Sequence, residues 1–342
     1  MISSEFTKLF GMPPRKPNEP LSKFYMDQAA SIQKVCEIMV LKLVKHLKKL
    51  TKTDNLCLSG GVALNCVANG SIIDKNYFRN VWIQPASGDS GSAIGASLAY
   101  IYDELKTKRI IKKNDSMSSS YLGPNYKNTE IKKYLEDNKF PYIEYKDSDL
   151  FAEISYYLAD GKVVGWFQGR MEFGPRALGN RSILGDPRNK DMQKTMNLKI
   201  KNRESFRPFA PVILDGFQKK YFDMEIESPY MLLTRYLQKE FLLNPKNKLE
   251  GIEQVNAIRS TLPSITHVDN SCRVQTVSED RNPKFYGLIK QFHKITDCPV
   301  LINTSFNVRG EPIVCTPEDA TRCFLFTNID ILVLENCVLN KQ

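Results

Sequence analysis

The sequence predicts an α/β protein built from two domains. Short apolar segments of strand length, such as Asn55–Leu58 and Val81–Gln84, alternate with segments that carry helical periodicity. Glycine-containing turns follow both strands, as is common where a strand passes into a helix. The chain has 342 residues, which is enough for two domains of about 150 residues each.

The first predicted domain, residues 1–115, has the order helix, strand, helix, strand, helix. Residues 1–20 are Pro-rich and irregular. From Lys23 to Leu50, apolar residues recur at steps of three and four, which predicts one amphipathic helix. The elements expected after it are a strand at Asn55–Leu58, a helix from Val62, a strand at Val81–Gln84 and a helix at Ala93–Leu105.

Residues 106–120 are charged and then Ser-rich, which is typical of a linker, and the domain boundary is placed there. The second predicted domain, residues 116–342, also mixes strands with helices. Its predicted strands are Val163–Phe167, Pro211–Leu214, Pro299–Ile302 and Ile331–Leu334. Its predicted helices are Ile131–Asn138, Leu150–Ala159, Leu288–Ile295 and Pro317–Thr327.

The composition excludes several classes of protein. Hydrophobic residues make up 42% and charged residues 25% of the chain, which excludes disordered, collagenous and disulfide-scaffold proteins. No apolar run approaches the roughly 20 residues of a membrane span, so no membrane partner is expected. The N-terminus also lacks the apolar segment of a signal peptide. Eight cysteines without a CxxC pair predict reduced, mostly buried thiols in a cytoplasmic protein.

The positive charge is concentrated in one segment. The net charge is +10, and residues 170–207 contain ten Lys and Arg against four Asp and Glu. Gly and Pro interrupt this segment, and Arg176 and Arg181 are predicted to lie on a stiff loop. Such loops hold guanidinium groups for bidentate binding of phosphates. The pattern favours a folded pocket for small anions over a nucleic-acid-binding arm.

Two turns of the first domain are further candidates. Gly60 and Gly61 follow the first strand, where backbone N–H groups can approach a phosphate, although a plain strand-to-helix turn explains them equally well. Asp89 follows the second strand, where a carboxylate can bind a metal ion. From spacing alone, helix capping is the better explanation of Asp89.

The end of one strand in the second domain carries alternating polar residues. Asn303, Ser305 and Asn307 are expected on one face, because alternate residues of a strand point the same way. Amide and hydroxyl groups suit a phosphate or carbonyl oxygen, and a polar turn is the alternative. The three histidines include no HxxxH pair that could bind a metal, and His267 is a candidate site residue because Arg273 follows nearby.

Seven long motifs occur between about Gly11 and Asn336. They are SGGVALNCVANG, QPASGDSGSAIGA, YLGP, GRMEFGPRALGNRSILGDPR, RESFRPFAP, THVDNSCRVQTV and NTSFNVRGEPIV. Together they resemble the NodU/CmcH-type O-carbamoyltransferases, a family that includes nodulation protein U and the cephalosporin and tobramycin carbamoyltransferases.

The resemblance implies a fold and a reaction. The fold would be the second lobe of an ASKHA-type (actin-like ATPase, RNase H-like) domain followed by a YrdC-like α/β domain. In this family the YrdC-like domain forms carbamoyl-adenylate from carbamoyl phosphate and ATP. The ASKHA-type domain then transfers the carbamoyl group to a hydroxyl of a small-molecule or glycan acceptor, and a divalent metal, Fe or Mg, is expected.

The resemblance also implies roles for individual residues. The KxR and SxN signatures of the YrdC-like domain resemble a predicted catalytic set of Lys201, Arg203, Ser305 and Asn307. Residues implied to bind carbamoyl phosphate and the ATP phosphates are Arg176, Arg181, Arg207, His267 and Arg273. Those implied to bind nucleotide are Gly60, Gly61 and Asn65. Asp89 matches a metal-ligand aspartate of the family, which reverses the preference for capping.

One departure from the family qualifies these expectations. The HxxxH histidines of the family lie in a first lobe, and this chain begins near the start of the second lobe. The metal site at Asp89 is therefore expected to be incomplete. This chain is therefore expected to be a split subunit, a truncated gene product or a fragment. Carbamoyl transfer is expected to require the missing first lobe or a partner chain that supplies it, whereas carbamoyl-adenylate synthesis is expected in this chain.

Two other functions are compatible with the sequence. One is a tRNA threonylcarbamoyl-adenylate-type enzyme, although GPRALGNRS and RESFRPFAP favour the O-carbamoyltransferases. The other is a non-catalytic subunit that binds nucleotide or serves in assembly, against which the intact KxR and SxN argue. A nucleic-acid partner is not expected.

Overall fold

The computed structural model describes residues 3–16, 19–111, 115–243 and 251–341, and it confirms the α/β class. The helices are α1 (Ser4–Phe10), α2 (Lys23–Thr51), α3 (Cys66–Lys75), α4 (Asp89–Ala99), α5 (Asn128–Asp137), α6 (Asp147–Ala159), α7 (Met192–Lys199), α8 (Gln218–Tyr221), α9 (Gly251–Asn256), α10 (Pro283–Thr296) and α11 (Pro317–Phe326). The strands are β1 (Asn55–Leu58), β2 (Asn80–Ile83), β3 (Ile143–Glu144), β4 (Val164–Phe167), β5 (Arg181–Gly185), β6 (Ala210–Leu214), β7 (Leu233–Tyr236), β8 (Ser271–Val277), β9 (Val300–Ser305), β10 (Ile331–Leu334) and β11 (Cys337–Asn340).

The first part of the chain is a two-stranded parallel sheet with helices beside it. β1 and β2 pair with Leu56 opposite Val81. Val44 of α2 is buried in a small core with Leu56, Ile72 and Phe78. The predicted amphipathic helix and the predicted order of helix, strand, helix, strand, helix are both confirmed.

Much of the apolar stripe of α2 is not covered. Ile32, Leu43 and Leu50 are 68%, 66% and 67% exposed. Exposed apolar stripes of this extent usually pack against a further structure. Although α2 is long, no helix in the four described ranges is both long and apolar enough to cross a lipid bilayer.

The predicted helix from Val62 is wrong in its first residues. Residues Gly61–Leu64 form a 3₁₀ turn instead, and α3 starts after it. The side chain of Asn65 accepts a hydrogen bond from the backbone N of Ala68 at 3.1 Å. This N-cap fixes the start of α3, because the Asn side chain satisfies a donor that the helix leaves open.

The boundaries after β2 also differ from prediction. α4 begins at Asp89 instead of Ala93, and it continues into a π-helical turn at Tyr100–Glu104. Residues 112–114 of the predicted linker lie outside the described residues.

The second part of the chain contains a large mixed sheet. Within the described ranges its nine strands follow the order β3-β11-β10-β4-β5-β9-β6-β8-β7. The pairs β10–β4 and β6–β8 are parallel, and the other pairs are antiparallel. α6 and α10 pack against each other beside this sheet, and Trp166 and Phe167 are among its buried core residues. The four strands predicted here correspond to β4, β6, β9 and β10.

The prediction that Arg181 lies on a loop is wrong. Arg181 is the first residue of β5, opposite Phe167 of β4. All five residues of β5 are buried. This strand is difficult to predict from sequence because its short apolar run begins with an arginine. Its burial arises from tertiary contacts that the local sequence does not record.

The two parts of the chain contact each other through α3 and β7. The Nδ2 of Asn69 donates to the carbonyl of Leu232 at 3.0 Å. Arg235 forms an ion pair with Asp74 at 2.8 Å. Gly70 lies directly against the backbone of Thr234. Direct contacts between α3 and β7 therefore hold the two parts of the chain together.

Candidate functional site

Lys201 connects the loop after α7 to the end of β9. Its Nζ donates to the backbone carbonyl and the Oγ of Ser305, the latter at 3.3 Å. It also donates to the carbonyl of Asn307 at 3.0 Å and to the Oδ1 of Asn307 at 2.9 Å. The Oγ of Ser305 in turn donates to the Oδ1 of Asn307 at 2.7 Å. The structure therefore brings together the KxR lysine with both polar residues of the SxN segment.

The pKa of the Lys201 amine lies near neutral pH. Burial, and secondly the neighbouring Arg203, lower the pKa of Lys201 to about 7. The oxygens around Nζ act in the opposite direction, because an ammonium group can donate three hydrogen bonds to them. A modest change in surroundings, such as an arriving anion, can therefore change the protonation state of this amine.

Asn197 orients the loop that carries Arg203. Its Oδ1 accepts from the Nε of Arg203 at 2.6 Å. Its Nδ2 donates to the carbonyls of Ser205 at 3.0 Å and Arg207 at 2.8 Å. The guanidinium of Arg203 lies over the ring of Phe209 at 4.9 Å. Sequence analysis missed Asn197, because hydrogen bonds to loop carbonyls leave no periodic pattern.

A cationic cleft lies beside this loop. Its cavity volume is about 350 Å³. Residues from both parts of the chain line it: Cys66, Val67, Arg203, Arg207, Pro208, Phe209, Ala210, Thr234, His267, Asp269, Ser271, Arg273 and Thr304. Four residues expected to contact substrate, Arg203, Arg207, His267 and Arg273, therefore share one cavity, although they come from two distant segments.

Arg273 is the most enclosed cation of the cleft. Burial, and secondly the charge of Arg176, lower the pKa of Arg273 to about 10, so the guanidinium stays charged at neutral pH. Among the described residues, the Nε of Arg273 and the Nε of Arg176 find no hydrogen-bond partner. Enclosed guanidinium groups without carboxylate partners are favourable sites for anions.

Two further residues of the cleft, His267 and Arg207, differ in their surroundings. The pKa of His267 is lowered mainly by burial, while the exposed Asp269 acts to raise it. Arg207 is exposed and pairs with Glu204 at 3.0 Å. Arg207 is thus free to reach an anion at the mouth of the cleft, because an exposed ion pair is weak.

Arg181 lies in the protein interior and outside the set of described residues that line the cleft. Its guanidinium lies 3.5 Å from the centre of the Phe167 ring. It donates to the carbonyls of Gln168 at 2.7 Å and Asn180 at 3.1 Å. These bonds connect β5 to the preceding loop, so the contacts of Arg181 are those of a structural residue.

Glu172 stabilises the loop between β4 and β5, which also contains Arg176. Its Oε1 accepts from the backbone N of Leu178 at 2.6 Å and of Asn180 at 2.9 Å. Burial raises the pKa of Glu172, and these backbone donors oppose the increase. This carboxylate, which sequence analysis also missed, orders the segment that presents Arg176.

The residues expected to bind nucleotide and metal lie elsewhere. Gly60 and Gly61 are exposed in the turn after β1, and the φ of +93° at Gly60 explains a glycine there. The side chain of Asn65 caps α3 and accepts from the Nε2 of Gln33 at 3.2 Å. Asp89 is exposed at the start of α4, where its charge suits the helix dipole.

The residues of this chain do not fit the divalent metal that the resemblance implies. Within the described ranges, no cluster of three or more His, Cys, Asp or Glu side chains could hold a metal ion. Asp89 supplies a single carboxylate, and stable sites need several ligands. The chemistry proposed below therefore uses no step through a metal.

Family models match both parts of the chain. The model for the carbamoyltransferase C-terminus matches residues 155–341, which contain the cleft arginines and the Lys201 site. The model for the carbamoyltransferase N-terminus matches residues 1–98. The chain belongs to the carbamoyltransferase family. The resemblance drawn from the motifs is thereby confirmed.

Curated relatives agree with this assignment. The chain is 55% identical to the uncharacterized protein sll1178 of Synechocystis sp. over its whole length, which covers 56% of that protein. It is 36% identical to nodulation protein NolO of Bradyrhizobium diazoefficiens, with 96% of this carbamoyltransferase chain and 57% of NolO covered. Nodulation protein U of Rhizobium fredii is 32% identical over 79% of this chain and 40% of its own.

This carbamoyltransferase-family chain spans little more than half the length of the first two of these relatives. Among solved structures, full-length HypF in its phosphate- and nucleotide-bound form covers 59% of this chain and 22% of its own. The identity is 18% and the TM-score is 0.36, which is too low to define a shared fold.

Proposed function

We propose that this chain forms carbamoyl-adenylate from carbamoyl phosphate and ATP. The observation that supports this function best is the position of Lys201, which contacts Ser305 and Asn307 next to a cleft lined by three arginines. Two polyanionic substrates repel each other, so their reaction needs fixed cations and orientation more than a covalent catalyst.

The reaction balances without a further cofactor. Water releases inorganic phosphate from carbamoyl phosphate and leaves carbamate. A carbamate oxygen then attacks the α-phosphorus of ATP, and pyrophosphate leaves. Arg203 and Arg273 would neutralise the reacting phosphates, and Lys201 would stabilise the charge that develops during transfer.

We also propose that the second part of the chain is a YrdC-like domain and that the first part is a lobe of an ASKHA-type domain. The support for this proposal is the contact between Lys201 and the Ser305–Asn307 segment, as the KxR and SxN signatures imply. The nucleotide role of Gly60, Gly61 and Asn65 has less support, because these residues lie outside the cleft lining.

Transfer of the carbamoyl group to an acceptor hydroxyl would need more than this chain. We propose that a first lobe, which lies outside the residues of this chain or on a partner chain, packs on the uncovered apolar face of α2. The exposed side chains of Ile32, Leu43 and Leu50 support this arrangement. The hydroxyl acceptor, a small molecule or glycan, would then bind between that lobe and this chain.

The decisive experiment supplies purified chain with ATP, Mg²⁺ and carbamoyl phosphate, and measures pyrophosphate release. We expect release that depends on carbamoyl phosphate and is lost in Arg203→Met. The matched control is Arg322→Met, because Arg322 is exposed on α11 and pairs with Asp319, three positions earlier on the same helix. Equal activity of Arg203→Met and wild type would contradict the proposal.

The same assay separates the alternatives. Pyrophosphate release with bicarbonate plus threonine, and none with carbamoyl phosphate, would identify a threonylcarbamoyl-adenylate-type enzyme. ATP binding without release under either condition would identify a non-catalytic nucleotide-binding subunit. The arginines of the cleft would bind phosphates in all three cases, so binding alone does not decide among them.

A further inference from the structure

Cys66 lines the cationic cleft together with Arg203 and Arg273. It is a partly exposed free thiol and the first residue of α3. Four other cysteines, Cys272, Cys298, Cys323 and Cys337, are buried. Cys66 therefore lines a cavity whose guanidinium groups attract a reagent that carries negative charge.

Two guanidinium groups lie within electrostatic reach of this sulfur. The sulfur of Cys66 is close enough to influence the pKa of both Arg176 and Arg273, which burial lowers. The Nε of Arg273 has no hydrogen-bond partner among the described residues. The cavity that Cys66 lines therefore offers an incoming anion a guanidinium N–H that has no other partner among the described residues.

We propose that Cys66 is a site of covalent modification by anionic disulfides, such as peptide disulfides that carry carboxylates. The Cys66 thiol loses its proton to solvent, and its sulfur attacks one sulfur of the disulfide. A new S–S bond forms, and the other half leaves as a thiolate. The disulfide is the oxidant, so the exchange requires no other reactant.

Modification would close the cleft to other anions. The attached group would occupy a cavity of about 350 Å³ and place its carboxylates against Arg203 and Arg273. Phosphate-bearing molecules would then lose both the space and the cations. This inference does not depend on carbamoyl-adenylate synthesis, because it requires only the position of the thiol and the charge of the cleft.

Cys57 offers a matched reference within the same chain. It is exposed on β1, where the neighbouring groove is lined mainly by apolar residues such as Leu43 and Leu56. Both thiols can be followed in the wild-type chain by peptide mapping, so no variant has to fold. The reagents are an aromatic disulfide with two carboxylates and a neutral pyridyl disulfide.

At each thiol, the preference is the rate of modification by the anionic reagent divided by the rate with the neutral reagent. We expect this preference to be about tenfold higher at Cys66 than at Cys57. This preference should decrease as salt screens the cations. Inorganic pyrophosphate should slow modification of Cys66 and leave Cys57 unchanged. Equal reagent preference at the two thiols, or no protection by pyrophosphate, would overturn the proposal. Chains with Cys66→Ser and Cys57→Ser identify which peptide carries each signal.

Discussion

The Nζ of Lys201 lies 2.9 Å from the Oδ1 of Asn307, although the two residues are 106 positions apart in the sequence. This contact joins the loop after α7 to the segment after β9. The lysine has 4% of its surface exposed, so water can replace few of these contacts. The cation is consequently fixed in position next to the cleft, as electrostatic stabilisation of a reacting phosphate requires.

Replacing Lys201 with Met should remove this fixed cation while keeping a side chain of similar length. We expect carbamoyl phosphate-dependent pyrophosphate release to decrease by about a hundredfold, because a preorganised charge has this typical effect on a reaction rate. The measurement is the steady-state rate at saturating ATP.

The matched control for this change is Lys199→Met. Lys199 is exposed on α7, two positions earlier in the chain. It should retain the wild-type rate, since its ammonium group is surrounded by water. A Lys201→Met chain that unfolds at the wild-type temperature and works at the wild-type rate would exclude Lys201 from the reaction.

The pH dependence of ATP binding should reflect the titration of Lys201. Burial lowers the pKa of Lys201 to about 7, so the ammonium form dominates below this pH and the neutral amine above it. Only the ammonium attracts phosphate. The ratio of wild-type to Lys201→Met affinity should therefore fall between about pH 6 and about pH 8.5.

The variant is essential for this comparison because ATP itself gains charge over part of the same range. Isothermal titration calorimetry of both chains at each pH removes that shared contribution. A ratio that stays constant would show that the amine keeps one protonation state throughout, as it would if the oxygens of Ser305 and Asn307 hold it charged.

The parts of the fold that were predictable have local signals. The strand at Asn55–Leu58 was predicted with its observed bounds, and α2 was predicted from its apolar spacing. β5 was missed because its five residues are buried in the fold although the segment begins with an arginine, and because one of the strands that pair with it, β9, is distant in sequence. Local patterns record propensity, whereas burial of this kind is set by tertiary contacts.

The candidate site was predictable only where family motifs name its residues. Lys201, Ser305 and Asn307 were grouped by resemblance, and the structure places them in contact. Asn197 lies outside the quoted motifs, and the motif that contains Cys66 assigns no role to it. The positions of these two residues in the loop and in the cleft are created by folding.

Asn197→Leu should loosen the loop that presents Arg203. The substitution removes the acceptor for the Arg203 Nε and the donors to the carbonyls of Ser205 and Arg207. We expect ATP affinity to fall by about tenfold, because ordering the loop would then be a cost of binding. Calorimetry measures the affinity, and limited proteolysis between residues 201 and 207 measures the loop.

Lys199→Met again serves as the control, because it changes the same helix without a contact to the loop carbonyls. Faster cleavage in the loop at an unchanged unfolding temperature would support a positioning role for Asn197. A lower unfolding temperature with unchanged affinity would instead assign Asn197 to overall stability and contradict the prediction.

Gly70→Ala should weaken the contact between the two parts of the chain. A Cβ at Gly70 would lie 2.7 Å from the backbone carbonyl oxygen of Thr234. Because this neighbour is backbone, α3 must move away from β7. We expect the free energy of unfolding to fall by about 1–3 kcal/mol, which is typical of overpacking. Chemical denaturation followed by fluorescence measures the change.

Gly95→Ala is the matched control, because Gly95 also lies inside a helix but has open space at the Cβ position. Alanine there should stabilise the chain by up to about 1 kcal/mol, since it favours the helix.

The movement of α3 in Gly70→Ala should also displace Cys66 and Val67, which line the cleft. A loss of stability together with weaker ATP binding would therefore link the interface between the two parts to the cleft. Unchanged stability in Gly70→Ala would mean that α3 and β7 do not pack closely.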